Sequence, residues 1–115
     1  MKAYTDLEQS KKLAEILTIE SADMYYTLID QGLYLEVKQG IEPSKDDIPC
    51  WSLAALLDVL PNKLQIALAI NDFQGDRKEK YAIGSVEHDK YDCFADNSVD
   101  ACYEMIIKLH EQNLL

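Results

Sequence analysis

Between Lys63 and Ile70 the chain alternates strictly, with Leu64, Ile66, Leu68 and Ile70 on one side and Lys63, Gln65, Ala67 and Ala69 on the other. A strand with so apolar a face has to be covered, and the C-terminal segment DNSVDACYEMIIKLHEQNLL supplies the cover. There Val99, Cys102, Ile106 and Leu109 share one side of a 3.6-residue period, flanked by Tyr103 and His110. Asn97 can cap this helix, and Asp100 sits at its third position, favourable for the positive end of the backbone dipole. A helical stripe packed on an antiparallel sheet makes the expected fold class α+β.

Other elements follow by the same reading. Thr5 or Asp6 can cap a first helix from about Leu7 to about Leu17, whose Leu7, Leu13, Ile16 and Leu17 form a stripe. Residues 20–31, with Tyr25, Tyr26, Leu28 and Ile29, suit a short helix or a strand equally and end at Gly32. Leu33–Lys38 alternates as a half-buried strand, and GIEPSKDDIP reads as a polar loop. The tip NDFQGDRKE joins the first alternating strand to a second, about Lys80–Val86, and Tyr91–Phe94 can add a short edge strand after the turn EHDK. The expected architecture is a small antiparallel sheet of about three or four strands. N- and C-terminal helices and a short buried middle helix cover it, all in one domain over residues 1–115.

The middle helix raises the question of chemistry. In IPCWSLAALLDVLP, Ser52 is a good N-cap for Leu53–Leu60 and Pro61 stops the helix. Its residues are apolar nearly all round, with Asp58 the sole charge, so burial by this domain or by a neighbouring chain is expected. Cys50 as a nucleophile would need a base, and His88 and His110 are the only histidines. A thiol beside the sole tryptophan reads instead as packing, with Trp51 plugging the end of the core and its indole N–H reaching a partner or solvent.

The remaining constellations are weak. His88, Asp89, Asp92 and Cys93 hold metal-ligand chemistry but lack the second ligand pair of a zinc site, so a polar turn is the better reading. NDFQGDRKE lacks the ligand alternation and closing glutamate of a calcium loop. Gly32, Gly40, Gly75 and Gly84 form neither a phosphate-cradling loop nor a dinucleotide fingerprint, and no cofactor is expected. Cys50, Cys93 and Cys102, odd in number and widely spaced, suit reduced thiols.

Charge restricts the partners. Against 21 acidic residues stand 11 basic ones, a net charge of −10. The densest basic cluster, Arg77, Lys78 and Lys80, is interrupted by Glu79, so direct nucleic-acid binding is not expected. The N-terminal residues are charged throughout and no stretch approaches the roughly 20 apolar residues that span a bilayer, which leads to the expectation of a soluble, cytoplasmic protein without membrane association. Tyrosines at Tyr25, Tyr26, Tyr34, Tyr81, Tyr91 and Tyr103 offer amphipathic area. Tyr25, Tyr26, Tyr34 and Trp51 are the candidate interaction surface, toward an unlike protein or a second copy in a homodimer.

Taken together, LEQSKKLAEIL, SADMYY, PCWSLAALLDVLP and DNSVDACYEMIIKLHE resemble a family of small acidic proteins encoded in Bacteroides-type gut bacteria, often in phage or mobile-element neighbourhoods. The resemblance is colinear over most of the chain, with Leu33–Asp47 and the hairpin tip variable. It implies proline where Ser98 stands, a first helical position that also accepts serine. It further implies a cytoplasmic accessory protein and no catalytic residue to carry over. The expected function is therefore a non-enzymatic protein-binding module. Two alternatives follow from the same residues: an acidic DNA mimic that inhibits a nucleic-acid-binding protein, and a small thiol enzyme or hydrolase using Cys50.

Overall fold

The computed structural model describes residues 2–29, 32–37, 47–61, 65–70, 78–85 and 90–115, with side chains at 28–29, 32–37, 85 and 90–92 outside the description. Its elements run α1 (Leu7–Ala14), β1 (Met24–Ile29), β2 (Gly32–Val37), β3 (Ile48–Cys50), α2 (Leu53–Val59), β4 (Ile66–Ile70), β5 (Tyr81–Ser85), β6 (Lys90–Ala95) and α3 (Ser98–Glu111), with a 3₁₀ turn at Ile19–Ser21. The α+β class stands, and the strands divide into two antiparallel sheets, ordered β2-β1-β3 and β4-β5-β6.

The second sheet and α3 realise the match seen in the sequence. Leu68, Ile83 and Cys93 lie side by side across the sheet, and α3 packs on all three of its strands. Val99, Cys102, Ile106 and Leu109 are all buried, and Ala101 and Met105 join them because α2 covers a further side of the helix. Alternation extends back to Lys63, yet the strand begins at Ile66. Gln65 has φ 49°, a left-handed backbone that ends pairing before the side-chain pattern does. Residues 62–64, the hairpin tip 71–77 and the turn 86–89 lie outside the described residues.

The first sheet decides one open segment and corrects another. Residues 24–29, left between helix and strand by their sequence, form the central strand β1, where Tyr25 and Tyr26 alternate across the sheet. The last two residues of the expected polar loop, Ile48 and Pro49, form β3 together with Cys50, with Pro49 opposite Tyr25. Proline is accommodated because β3 is an edge strand and a residue there can direct its missing N–H away from the ladder.

Helix ends obey local chemistry closely. Asp6 accepts the Gln9 N–H at 2.8 Å while Gln9 Oε1 accepts the Asp6 N–H, a complete capping box. Asn97 likewise accepts the Asp100 N–H at 2.8 Å. At the other end of α3, Asn113 has φ 57° and the amides of Leu114 and Asn113 donate to Leu109 O and His110 O. That pair of bonds is a Schellman motif with asparagine in the usual glycine position.

One segment ties these pieces together. Thr5 N–H donates to Trp51 O at 2.9 Å, Trp51 N–H donates to Thr5 Oγ1 at 3.2 Å, and Leu53 N–H donates to Ala3 O. Thr5 and Ser10 are fully buried polar residues whose hydroxyls share a 2.7 Å hydrogen bond. Thr5 O accepts from the Tyr26 hydroxyl at 2.7 Å and from the Cys50 thiol at 3.4 Å. The N-terminal segment thus closes over the junction of β3 and α2. Replacing Thr5 by valine keeps the shape but leaves the Trp51 amide and Ser10 hydroxyl short of a partner. Urea denaturation should then show a loss of about 1–3 kcal/mol, and an unchanged midpoint would refute this role.

Beside this segment, Lys2 donates to Asp6 at 3.1 Å and to Asp100 at 2.7 Å, linking the N-termini of α1 and α3. Gln9 and Asn97 also donate to Asp100. Burial pushes the Asp100 carboxyl upward, but the bonds from Lys2, Gln9 and Asn97 outweigh it and hold its pKa below the usual range. The Gln9 amide, then Lys2, does the same for Asp6. Depressed carboxyl pKa values stabilise the fold above the unfolded value of about 4 and lose that contribution as pH falls through the folded values. Lys2→Met should therefore be less stable than the native chain by about 0.2–1 kcal/mol at pH 7, the range of exposed ion pairs. In paired urea titrations this difference should vanish toward pH 2; a pH-independent difference would contradict the ionic reading.

Candidate interaction surface

Of the residues singled out in the sequence, Trp51 and Tyr26 serve the interior. Trp51 is fully buried, which removes it from the candidate surface: its indole N–H donates to Ser21 Oγ at 3.0 Å, and that hydroxyl donates to Thr18 O. Tyr26 is half-buried with its hydroxyl committed to Thr5 O, and burial, with Cys50 close by, raises its pKa well above the usual phenol value. Tyr25 is half-buried on the opposite side of β1. Tyr34 pairs with Thr27 in the backbone ladder, and its side chain lies outside the described residues.

Cys50 is also fully buried. Burial pushes its thiol pKa up despite hydrogen bonds from Thr5, Ser10 and Tyr26 that favour the thiolate. A nucleophile needs both the thiolate and a path for substrate, and the environment of this sulfur opposes each. His110 is exposed, while His88 lies outside the described residues, as does Asp89. Cys102 is buried with its pKa pushed up to about 12, Cys93 is half-buried in β6, and none of the three cysteines forms a disulfide. Among the described residues no three His, Cys, Asp or Glu side chains are placed to hold a metal ion, and no helix is long and apolar enough to cross a membrane.

An open depression lies where the three helices end. Ile16 and Leu17 beyond α1, Thr18 before the 3₁₀ turn and Ser21 ending it, Val59 ending α2, His110 in the last turn of α3 and Leu115 beyond that helix line an open groove of about 380 Å³. Local chemistry builds it. Ser52 caps α2 through Ala55 N–H, and its own hydroxyl and amide are held by Asp23, which fixes the start of α2 beside the turn. The Trp51–Ser21 bond fixes the turn itself, and the Schellman motif turns Leu114 and Leu115 back from the α3 axis.

Large apolar side chains remain exposed in this part of the sequence. Ile19, between the lining residues Thr18 and Ser21, is 39% exposed, and Leu115 is 42% exposed. The helix α2 also departs from the all-round burial expected of it. Leu56 and Ala55 are buried, but Ala54, Leu57 and Asp58 form an outward side, with Leu57 41% exposed. The groove was legible only in part, because Ile16 and Leu17 read as ordinary core stripe. The signal available was the pair Leu114–Leu115, apolar residues left over beyond the last helix.

Comparison with family models, curated proteins and solved structures finds no match to this chain. For the native protein, mass-spectrometric alkylation with iodoacetamide should leave Cys50 and Cys102 unmodified until denaturant is added. Rapid native labelling of Cys50 would overturn the packing role assigned to it.

Proposed function

We propose that this protein is a non-enzymatic, cytoplasmic accessory module that binds another protein through the groove where α1, α2 and α3 end. It belongs, on this reading, to the phage or mobile-element setting that its sequence resembles. The observation that carries the proposal is the contrast between groups withdrawn and groups presented. Cys50, Trp51 and the Thr5–Ser10 pair are enclosed, whereas Ile16, Leu17, Val59 and Leu115 line an open depression and Leu115 keeps apolar area at the surface. Scattered exposed leucines are common, but apolar side chains around a concave site are the usual form of a contact surface. The tyrosine-centred surface expected from sequence gives way to this one because Tyr26 and Trp51 serve the interior.

The double variant Ile19→Ser, Leu115→Ser should fold with nearly unchanged stability, since both side chains are substantially exposed. Affinity isolation from the native cytoplasm, read by quantitative mass spectrometry, should recover a macromolecular partner with the native chain and lose it with the variant. Equal recovery by both proteins, or recovery of a tightly held metabolite in place of a macromolecule, would refute the proposal.

A further inference from the structure

Among the described residues each sheet has two edge strands, and an edge strand offers a row of unpaired N–H and C=O groups to any strand that comes alongside. Three of these four edges carry a feature that discourages such pairing. β3 is three residues long with Pro49 at its centre, and β2 carries Glu36. β6 carries Lys90 and Asp92, and its register with β5 passes over Asp92 between Tyr91 and Cys93. β4 has none of these. Its residues, Ile66-Ala67-Leu68-Ala69-Ile70, include no charge and no proline, and all five pair with β5 in unbroken register. Ile70 is 70% exposed, more than any other large apolar side chain among the described residues.

The five residues of β4 also read the same in both directions. We infer that this edge is occupied by β4 of a second copy of the chain, paired antiparallel about a two-fold axis at Leu68, an interface that shares no residue with the groove lining. In that register Ile66 of one copy stands opposite Ile70 of the other, Ala67 opposite Ala69 and Leu68 opposite Leu68, so the strand is its own complement. Ile66, Leu68 and Ile70 share one face of the sheet. On it Ile66 and Leu68 pack against the core, whereas Ile70 is left open. Pairing brings the open Ile70 of each copy beside the packed Ile66 of the other. Charge points to the same place: each copy carries a net −10, and an uncharged seam lets two copies meet without setting carboxylate against carboxylate. The contact uses both β4 edges and leaves a six-stranded sheet, three strands from each copy, that ends on β6 at either side. Lys90 and Asp92 guard those ends, so assembly stops at two. Five residues a side fall well short of the roughly 20–30 of a standard interface, which makes the dimer reversible, with a Kd of about 0.1 mM.

Sedimentation equilibrium at about 0.15 M salt, from about 10 μM to about 1 mM protein, should show monomer and dimer in reversible exchange and nothing larger. At the upper concentration, a mixture of isotope-labelled and unlabelled protein should give intermolecular Overhauser contacts between Ile70 of one copy and Ile66 of the other, a readout that needs no variant. Ile70→Lys should weaken the dimer at least tenfold. It changes an exposed side chain and lowers the net negative charge, so neither misfolding nor added repulsion accounts for the loss. Leu57→Lys makes the same charge change at an exposed leucine of α2 and should dimerise like the native chain, as should the Ile19→Ser, Leu115→Ser protein. A monomer at every concentration, open-ended assembly, intermolecular contacts confined to another surface, or unchanged dimerisation of Ile70→Lys would each overturn the inference. Loss of the dimer in the serine variant would overturn it too, by assigning self-association to the groove. A native chain that stays monomeric yet recovers a groove-dependent partner ends this inference alone and leaves the protein-binding proposal standing.

Discussion

Thr5 and Trp51 exchange hydrogen bonds across 46 residues of sequence, and much of the described structure hangs on that exchange. The threonine hydroxyl and carbonyl also receive or share bonds with Ser10 of α1, Tyr26 of β1 and Cys50 of β3. A fully buried polar residue is costly unless its groups are paired, and here the pairing draws one partner from each neighbouring element. Among the described residues no buried side-chain nitrogen or oxygen lacks a hydrogen-bond partner. The indole beneath this network then plugs the core and, through Ser21, fixes the turn that forms one wall of the groove.

Where periodicity met local chemistry, the sequence was readable. Asn97 and Asp100 start α3, Ser52 starts α2, Asp6 starts α1, and the stripe Val99, Cys102, Ile106, Leu109 meets the sheet as its spacing demands. Long-range pairing was harder to see. Tyr25 and Tyr26 gave no decisive period because β1 is a central strand with large residues on both sides, and Ile48-Pro49-Cys50 lost its strand character behind a proline that only an edge position excuses. The network around Thr5 left no pattern at all, since its members are brought together from positions 5, 10, 26, 50 and 51. Composition suggested that tyrosine would mark a contact surface; the structure instead buries Trp51 and commits the Tyr26 hydroxyl to Thr5 O.

The two ends of the helices are treated differently. At the N-termini of α1 and α3, Asp6 and Asp100 sit where the dipole favours them and share Lys2 as a counter-ion. At the C-termini of α1 and α3, Lys11 and Lys12, and Lys108 and His110, stand in the last turn, where the dipole favours cations. The first arrangement serves folding. The second serves it at the opposite pole, with basic side chains near the unpaired carbonyls.

The claim on which all of this rests is that the N-terminal segment is an integral part of the core junction. Native-state amide hydrogen exchange measures it directly at Thr5 and Trp51. Both amides should exchange only through global unfolding, with the same free energy that urea denaturation gives for the whole domain. Free exchange at Thr5, like that of a frayed terminus, while the amides of α3 stay protected, would show that the core closes without it.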